Sequence, residues 1–132
     1  MNTGFSNQDL TGALPASLGD FGPALKQMSL NGNQISELPT ELGALTGLRN
    51  LDLQNNAITS VPSEIAALTG MRYLDLRFNE LIGVPAEFRT WGPTFNCYLS
   101  NNDLSFSCAN VGAGTSCCTM DICGDVGTCF QG

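Results

Sequence analysis

Three stretches of this chain superimpose without a gap when it is shifted by 23 residues: LKQMSLNGNQISELPTELGALTG from Leu25, LRNLDLQNNAITSVPSEIAALTG from Leu48 and MRYLDLRFNELIGVPAEFRTWGP from Met71. A fourth, TFNCYLSNNDL from Thr94, starts in the same way and then departs. A period of this length means that one supersecondary unit is copied and stacked. A single copy holds too few apolar side chains to offset the entropy of ordering its own backbone. Copies fold only by sharing their apolar faces, so the architecture has to be a solenoid.

Each copy divides into two halves. In LRNLDL, Leu51 and Leu53 alternate with Asn50, Asp52 and Gln54, the period of a strand with one buried and one exposed face. An asparagine follows at a fixed place, giving Asn33, Asn56, Asn79 and Asn102. The second half opens on Leu38-Pro39, Val61-Pro62 and Val84-Pro85. Proline at the first position of a helical turn sacrifices no hydrogen bond, and Glu41, Glu64 and Glu87 two residues on sit where a carboxylate favours the positive end of the turn. Short helical or 3₁₀ returns are expected there.

The columns L-x-x-L-x-L-x-x-N-x-L, followed by x-x-L-P-x-E-L-x-x-L, resemble those of leucine-rich-repeat proteins, over about residues 3 to 104. Upstream, TGFSNQDLTGALPASLGDFGPA resembles the back of another copy, closer in wording to the plant-type repeat, with Thr3 and Phe5 in strand positions. The resemblance implies an α/β solenoid: a right-handed superhelix with a parallel concave sheet and short 3₁₀ or helical convex turns. It divides the chain into a truncated first repeat (1–24), three complete repeats (25–93) and a last strand with a C-terminal cap (94–132). It also implies that the four asparagines form a ladder, each side chain bonding backbone groups of neighbouring coils. In such proteins the concave face is used for binding.

The cap is expected to be held by disulfides. Cys97, Cys108, Cys117, Cys118, Cys123 and Cys129 all fall in the last 36 residues, in a glycine-rich segment short of large apolar side chains. Zinc would call for Cys-x-x-Cys pairs or histidine, and the sequence has neither. The six thiols allow 15 pairings, among which sequence does not choose. Cys97 stands in the strand column of Met28, Leu51 and Leu74, so it belongs to the core of the last coil. A disulfide framework implies an oxidising, extracellular address. The N-terminal MNTGFSNQDL nevertheless lacks the charged-then-apolar layout of a secretory signal.

Twelve acidic against five basic residues leave a net charge of −7, with no local run of lysine or arginine, so nucleic acid is not an expected partner. No apolar run is long enough for membrane insertion. The chain has no imidazole base, nucleophile elbow, phosphate loop or dinucleotide fingerprint, and neither catalysis nor a cofactor is expected. The one carboxylate pair worth weighing is Asp52 with Asp75, in one column of adjacent strands, and Arg49, Arg72 and Arg77 are expected to neutralise it.

Binding is the expected function. The outward strand positions are polar in the first two complete copies (Gln27, Ser29, Asn31; Asn50, Asp52, Gln54) and aromatic and charged in the next two (Tyr73, Asp75, Arg77, Phe78; Tyr98). Tyrosine and arginine dominate the energetics of protein interfaces, so the ligand-facing set is Asn50, Asp52, Gln54, Tyr73, Asp75, Arg77, Phe78 and Tyr98. For Phe78 a competing expectation is that it folds over the asparagine turn and covers it. Trp91 occupies the apolar column of Leu45 and Leu68 and is expected in the core. The ligand is expected to be an extracellular protein or glycan, as in polysaccharide-binding or enzyme-inhibiting proteins of this type. The alternative is a spacer of a longer array, with self-association through an uncovered N-terminal edge.

Overall fold

The computed structural model describes residues 1–91 and 95–104, so Cys108, Cys117, Cys118, Cys123 and Cys129 and the expected cap lie outside the described residues. The strands run β1 (Asn2–Gly4), β2 (Thr11–Ala13), β3 (Gln27–Ser29), β4 (Gln34–Glu37), β5 (Asn50–Asp52), β6 (Tyr73–Asp75) and β7 (Asn96–Tyr98). They are interleaved with 3₁₀ turns at Ala16–Ala24, Thr40–Ala44, Ser63–Ala67 and Ala86–Thr90. Strands β1, β3, β5, β6 and β7 form one parallel sheet in that order, each pairing with the next coil's strand in register: Met28 with Leu51, Leu51 with Leu74, Leu74 with Cys97. Sequence neighbours are space neighbours throughout, as a copied unit requires.

Inward positions form columns through the stack. Met28, Leu51, Leu74 and Cys97 make one, Leu30, Leu53, Leu76 and Leu99 a second, and Ile35, Ile58 and Leu81 a third, all buried. Leu42, Ile65 and Phe88 from the 3₁₀ turns close the opposite wall, with Leu45, Leu68 and Trp91 beside them. In the last coil the buried residue is Phe95, one place beyond the Leu25, Leu48 and Met71 column. Its ring lies 4.4 Å from that of Trp91, which lies 4.6 Å from Phe88, so aromatics fill a wall made of smaller side chains in earlier coils.

The asparagines link coil to coil. Asn56 Nδ2 donates to the Leu53 carbonyl of its own coil (3.0 Å) and the Leu30 carbonyl of the preceding one (3.1 Å), while its Oδ1 accepts from Ile35 N (3.0 Å). Asn79 repeats this with Leu76, Leu53 and Ile58, and Asn102 with Leu99, Leu76 and Leu81. Asn33 donates to the Leu30 and Phe5 carbonyls and accepts from the amides of Gln8 and Leu10. Each amide thus satisfies backbone groups that strand pairing leaves over, and an unsatisfied buried group would cost about 1–3 kcal/mol.

Four details differ from the sequence expectation. The prolines precede the 3₁₀ turns rather than open them: Pro39, Pro62 and Pro85 are extended, and their carbonyls accept from Leu42, Ile65 and Phe88. Glu41, Glu64 and Glu87 lie in the first turns, but no side chain makes a capping bond there, so whatever they add is through the field alone. Phe5 is exposed, although the pairing of β1 with β3 sets it in the column of the buried Leu30, Leu53, Leu76 and Leu99. Finally, β2 and β4 pair as a second small parallel sheet, where the sequence marked a single sheet and 3₁₀ or helical turns.

The coils approach closely at Gly43, where an added Cβ would stand 2.6 Å from the Glu64 carbonyl oxygen. A side chain at this position would push two turns apart, so the glycine there is a packing requirement.

Candidate functional site

The outward face of the main sheet is built by backbone alternation alone: in every strand the residues flanking the buried column point away from the core. Its two halves differ in chemistry. Across β3 and β5 the side chains are small and polar. Asn31 Nδ2 donates to Ser29 Oγ (3.0 Å) and to Asp52 Oδ2 (2.6 Å), while Ser29 and Ser6 share a hydrogen bond of 3.0 Å. Asp52 Oδ1 accepts from Gln54 N at 3.2 Å, and Gln54 Nε2 reaches Oδ2 at 3.5 Å.

Across β6 and β7 the same positions hold a compact group centred on Asp75, which is fully buried although its strand position faces outward. Arg77 closes over it, Nη2 donating to Oδ2 at 2.6 Å and Nε to Oδ1 at 3.0 Å, and the Arg77 amide donates to Oδ1 at 3.1 Å. Tyr73 OH donates to Oδ2 at 3.0 Å. The guanidinium carbon stands 5.2 Å above the ring centre of Tyr98, and the Tyr73 and Tyr98 rings meet at 5.4 Å with a 49° tilt. Burial, followed by the charge and hydrogen bond of Asp75 and the charge of Asp52, pushes the Tyr73 phenol up to about 12 against the opposing influence of Arg77. Tyr73 therefore remains a neutral donor at any physiological pH.

Phe78 is the exception on this face. The eighth position of every copy has a left-handed backbone, with φ of 69° at Gly32, 55° at Asn55, 56° at Phe78 and 58° at Asn101. Glycine and asparagine adopt it readily, whereas a bulky residue is strained there. The residue is nevertheless 49% exposed, so half of it remains available to a partner.

Arg49 and Arg72 do not neutralise the aspartates. Among the described residues the recorded ion pair is Arg77 with Asp75. Arg49 and Arg72 instead join Lys26 around a groove of about 310 Å³ at the entry edge of the strands, with Asn2, Gln27 and Asn50. Sequence reasoning found no basic cluster because it looked for neighbours along the chain. The signal was present in the period, since residues 26, 49 and 72 are one repeat apart. The left-handed column was readable in the same way, from Gly32, Asn55 and Asn101 at one repeat position.

Residues 23–81 match the family model of the leucine rich repeat. Among solved structures, the Leptospira interrogans LRR protein LIC12759 is similar over 78% of this chain and 26% of its own, at 32% identity and a TM-score of 0.70. A chain of the BIR3–SERK2 complex from Arabidopsis thaliana is similar over 76% of this chain and 57% of its own, at 30% identity and a TM-score of 0.60. The BIR2 ectodomain from Arabidopsis thaliana shares the fold at 23% identity and a TM-score of 0.58, over 72% of this chain and 50% of its own. No curated protein sequence matches the chain significantly. With the repeat columns, the stacked parallel sheet and the asparagine ladder, these likenesses make the chain a leucine-rich-repeat protein. It spans between about a quarter and three-fifths of the length of these solved relatives.

Proposed function

We propose that this protein is an extracellular recognition module that binds a protein partner on its outward sheet face, at the group formed by Tyr73, Arg77, Phe78 and Tyr98, and that it acts by binding alone. The observation that carries the reading is Phe78: a bulky, half-exposed ring at a left-handed position that Gly32, Asn55 and Asn101 occupy without strain. Half of that side chain stays in solvent despite the strain, and a ligand contact is the gain that would offset it. Asp75 fixes Arg77 and Tyr73 in advance, so little side-chain entropy is left to lose on docking.

The shape favours protein over glycan. Tyr98 has Arg77 over its ring and the two tyrosines are tilted, which leaves no flat aromatic platform for a pyranose face. The Arabidopsis relatives support the same direction, one being an ectodomain and another a chain within a two-protein complex.

The test is a binding screen of the full chain against secreted proteins and cell-wall glycans, repeated with Phe78→Asn. The variant is expected to be more stable by about 1 kcal/mol, through relief of the left-handed strain, and to bind its protein ligand at least about tenfold more weakly. Undiminished binding by Phe78→Asn, or ligands found only among the glycans, would overturn the reading.

A further inference from the structure

Lys26, Arg49 and Arg72 are three of only five basic residues in a chain of net charge −7, and they occupy one repeat position. Strand pairing holds them in register: Arg49 N and Asn50 N donate to the Lys26 carbonyl, and Arg72 N and Tyr73 N to the Arg49 carbonyl. Adjacent strands are about 4.8 Å apart, so the three cations project from successive coils within about 10 Å. All three are exposed and border the same groove. Lys26 Nζ donates to the Pro23 carbonyl at 2.9 Å, and among the described residues none of the three pairs with a carboxylate.

Like charges directly opposite on neighbouring strands destabilise a sheet. The backbone groups at these positions are already satisfied by the ladder, so the fold has no use for the charge. The repeated carboxylates form no ion pair with these cations among the described residues: Asp75 is paired with Arg77, Asp52 is held by Asn31 and Gln54, and Glu41, Glu64 and Glu87 belong to the 3₁₀ turns.

We infer that this column is a second docking surface, for a short acidic peptide segment of a protein partner lying along the stacking axis. Charge complementarity selects the occupant. Arginine forks bind carboxylates in bidentate fashion, and the side-chain amides of Asn2, Gln27 and Asn50 lining the groove supply donors for peptide carbonyls. Same-face side chains of an extended peptide recur about every 7 Å, so two or three carboxylates span the column. A long polyanion would extend over the rest of a strongly acidic protein, whereas a short segment is confined within about a Debye length of the three cations. The surface is distinct from the Phe78 and Tyr98 group and does not depend on it.

The test is fluorescence anisotropy of a labelled octapeptide with four glutamates alternating with serine, against its glutamine counterpart, on the full chain at low salt. The glutamate peptide is expected to bind at least about tenfold more tightly and to weaken severalfold at physiological salt. Arg49→Glu with Arg72→Glu should abolish the difference, and the neutral pair Arg49→Gln with Arg72→Gln, which keeps the sheet free of new charge, should weaken it to an intermediate degree. Phe78→Asn should leave it unchanged, which separates this surface from the first. Equal binding of the two peptides, or an unchanged affinity in both arginine pairs, overturns the inference. So does competition by a sulfated oligosaccharide or an oligonucleotide of equal charge at about tenfold lower concentration, which would assign the column to polyanions.

Discussion

Asp52 and Asp75 face each other across β5 and β6 at one repeat position, on the same backbone, and have opposite fates. Asp52 is half-buried and is held by neutral groups from Asn31 and Gln54. Asp75 is sealed beneath an arginine and a tyrosine. The repeat supplies a position; the residues two places to either side decide what that position becomes. Asn50 and Gln54 flank the first, Tyr73 and Arg77 the second. One half of the face is consequently a wetted amide surface and the other a pre-assembled aromatic and cationic one.

Removing each carboxylate tests the contrast most strongly. Asp75→Ala breaks a buried pair and is expected to cost about 3 kcal/mol, moderated because Arg77 can regain water, whereas Asp52→Ala should cost no more than about 1 kcal/mol. Urea unfolding measures both, and equal losses would erase the distinction. Tyr73→Phe should cost about 1.5 kcal/mol at neutral pH, through the lost bond to a charged acceptor.

The same variant has a signature in alkali. The Tyr73 phenol is raised to about 12 in the folded state, against about 10 unfolded. Folding therefore holds its proton more tightly; that contribution is complete below pH about 10 and disappears as pH rises through about 12. Tyr73→Phe should flatten the decline in stability over this window and delete the late phenolate absorbance step. A late step that survives belongs to another group.

The smallest effect sharpens the comparison from the other side. Asn55→Phe places in the amide half the ring that Phe78 places in the aromatic half, at the same left-handed backbone. It should destabilise by about 1 kcal/mol without conferring binding, since its own coil carries Asn50, Asp52 and Gln54 where the next carries Tyr73, Asp75 and Arg77. A neutral result would mean that the strain at Phe78 is smaller than its dihedral suggests.

Much of the fold was legible because columns of Leu, Asn and Leu-Pro recur at a fixed interval, and a stacked chain turns sequence period directly into spatial contact. The outward set was legible from the same alternation. The burial of Asp75 was not, because it depends on Arg77 and Tyr73 closing over a carboxylate that strand alternation assigns to the surface. The pairing of β2 with β4 was missed because Thr11–Ala13 and Gln34–Glu37 carry no alternating apolar pattern strong enough to mark a strand. The basic column was missed for a simpler reason: charges 23 residues apart look dispersed until the coils are laid side by side.

Because each asparagine reaches back a single coil and no further, the stack has no memory of its length. Excising residues 48–70 would bring Met71 to where Leu48 stood, and Asn79 would then meet the carbonyl of Leu30 in place of that of Leu53. The stack can therefore lose a whole turn and re-form its ladder across the join, which shortens its reach and, with Arg49 gone, narrows the basic column to two cations.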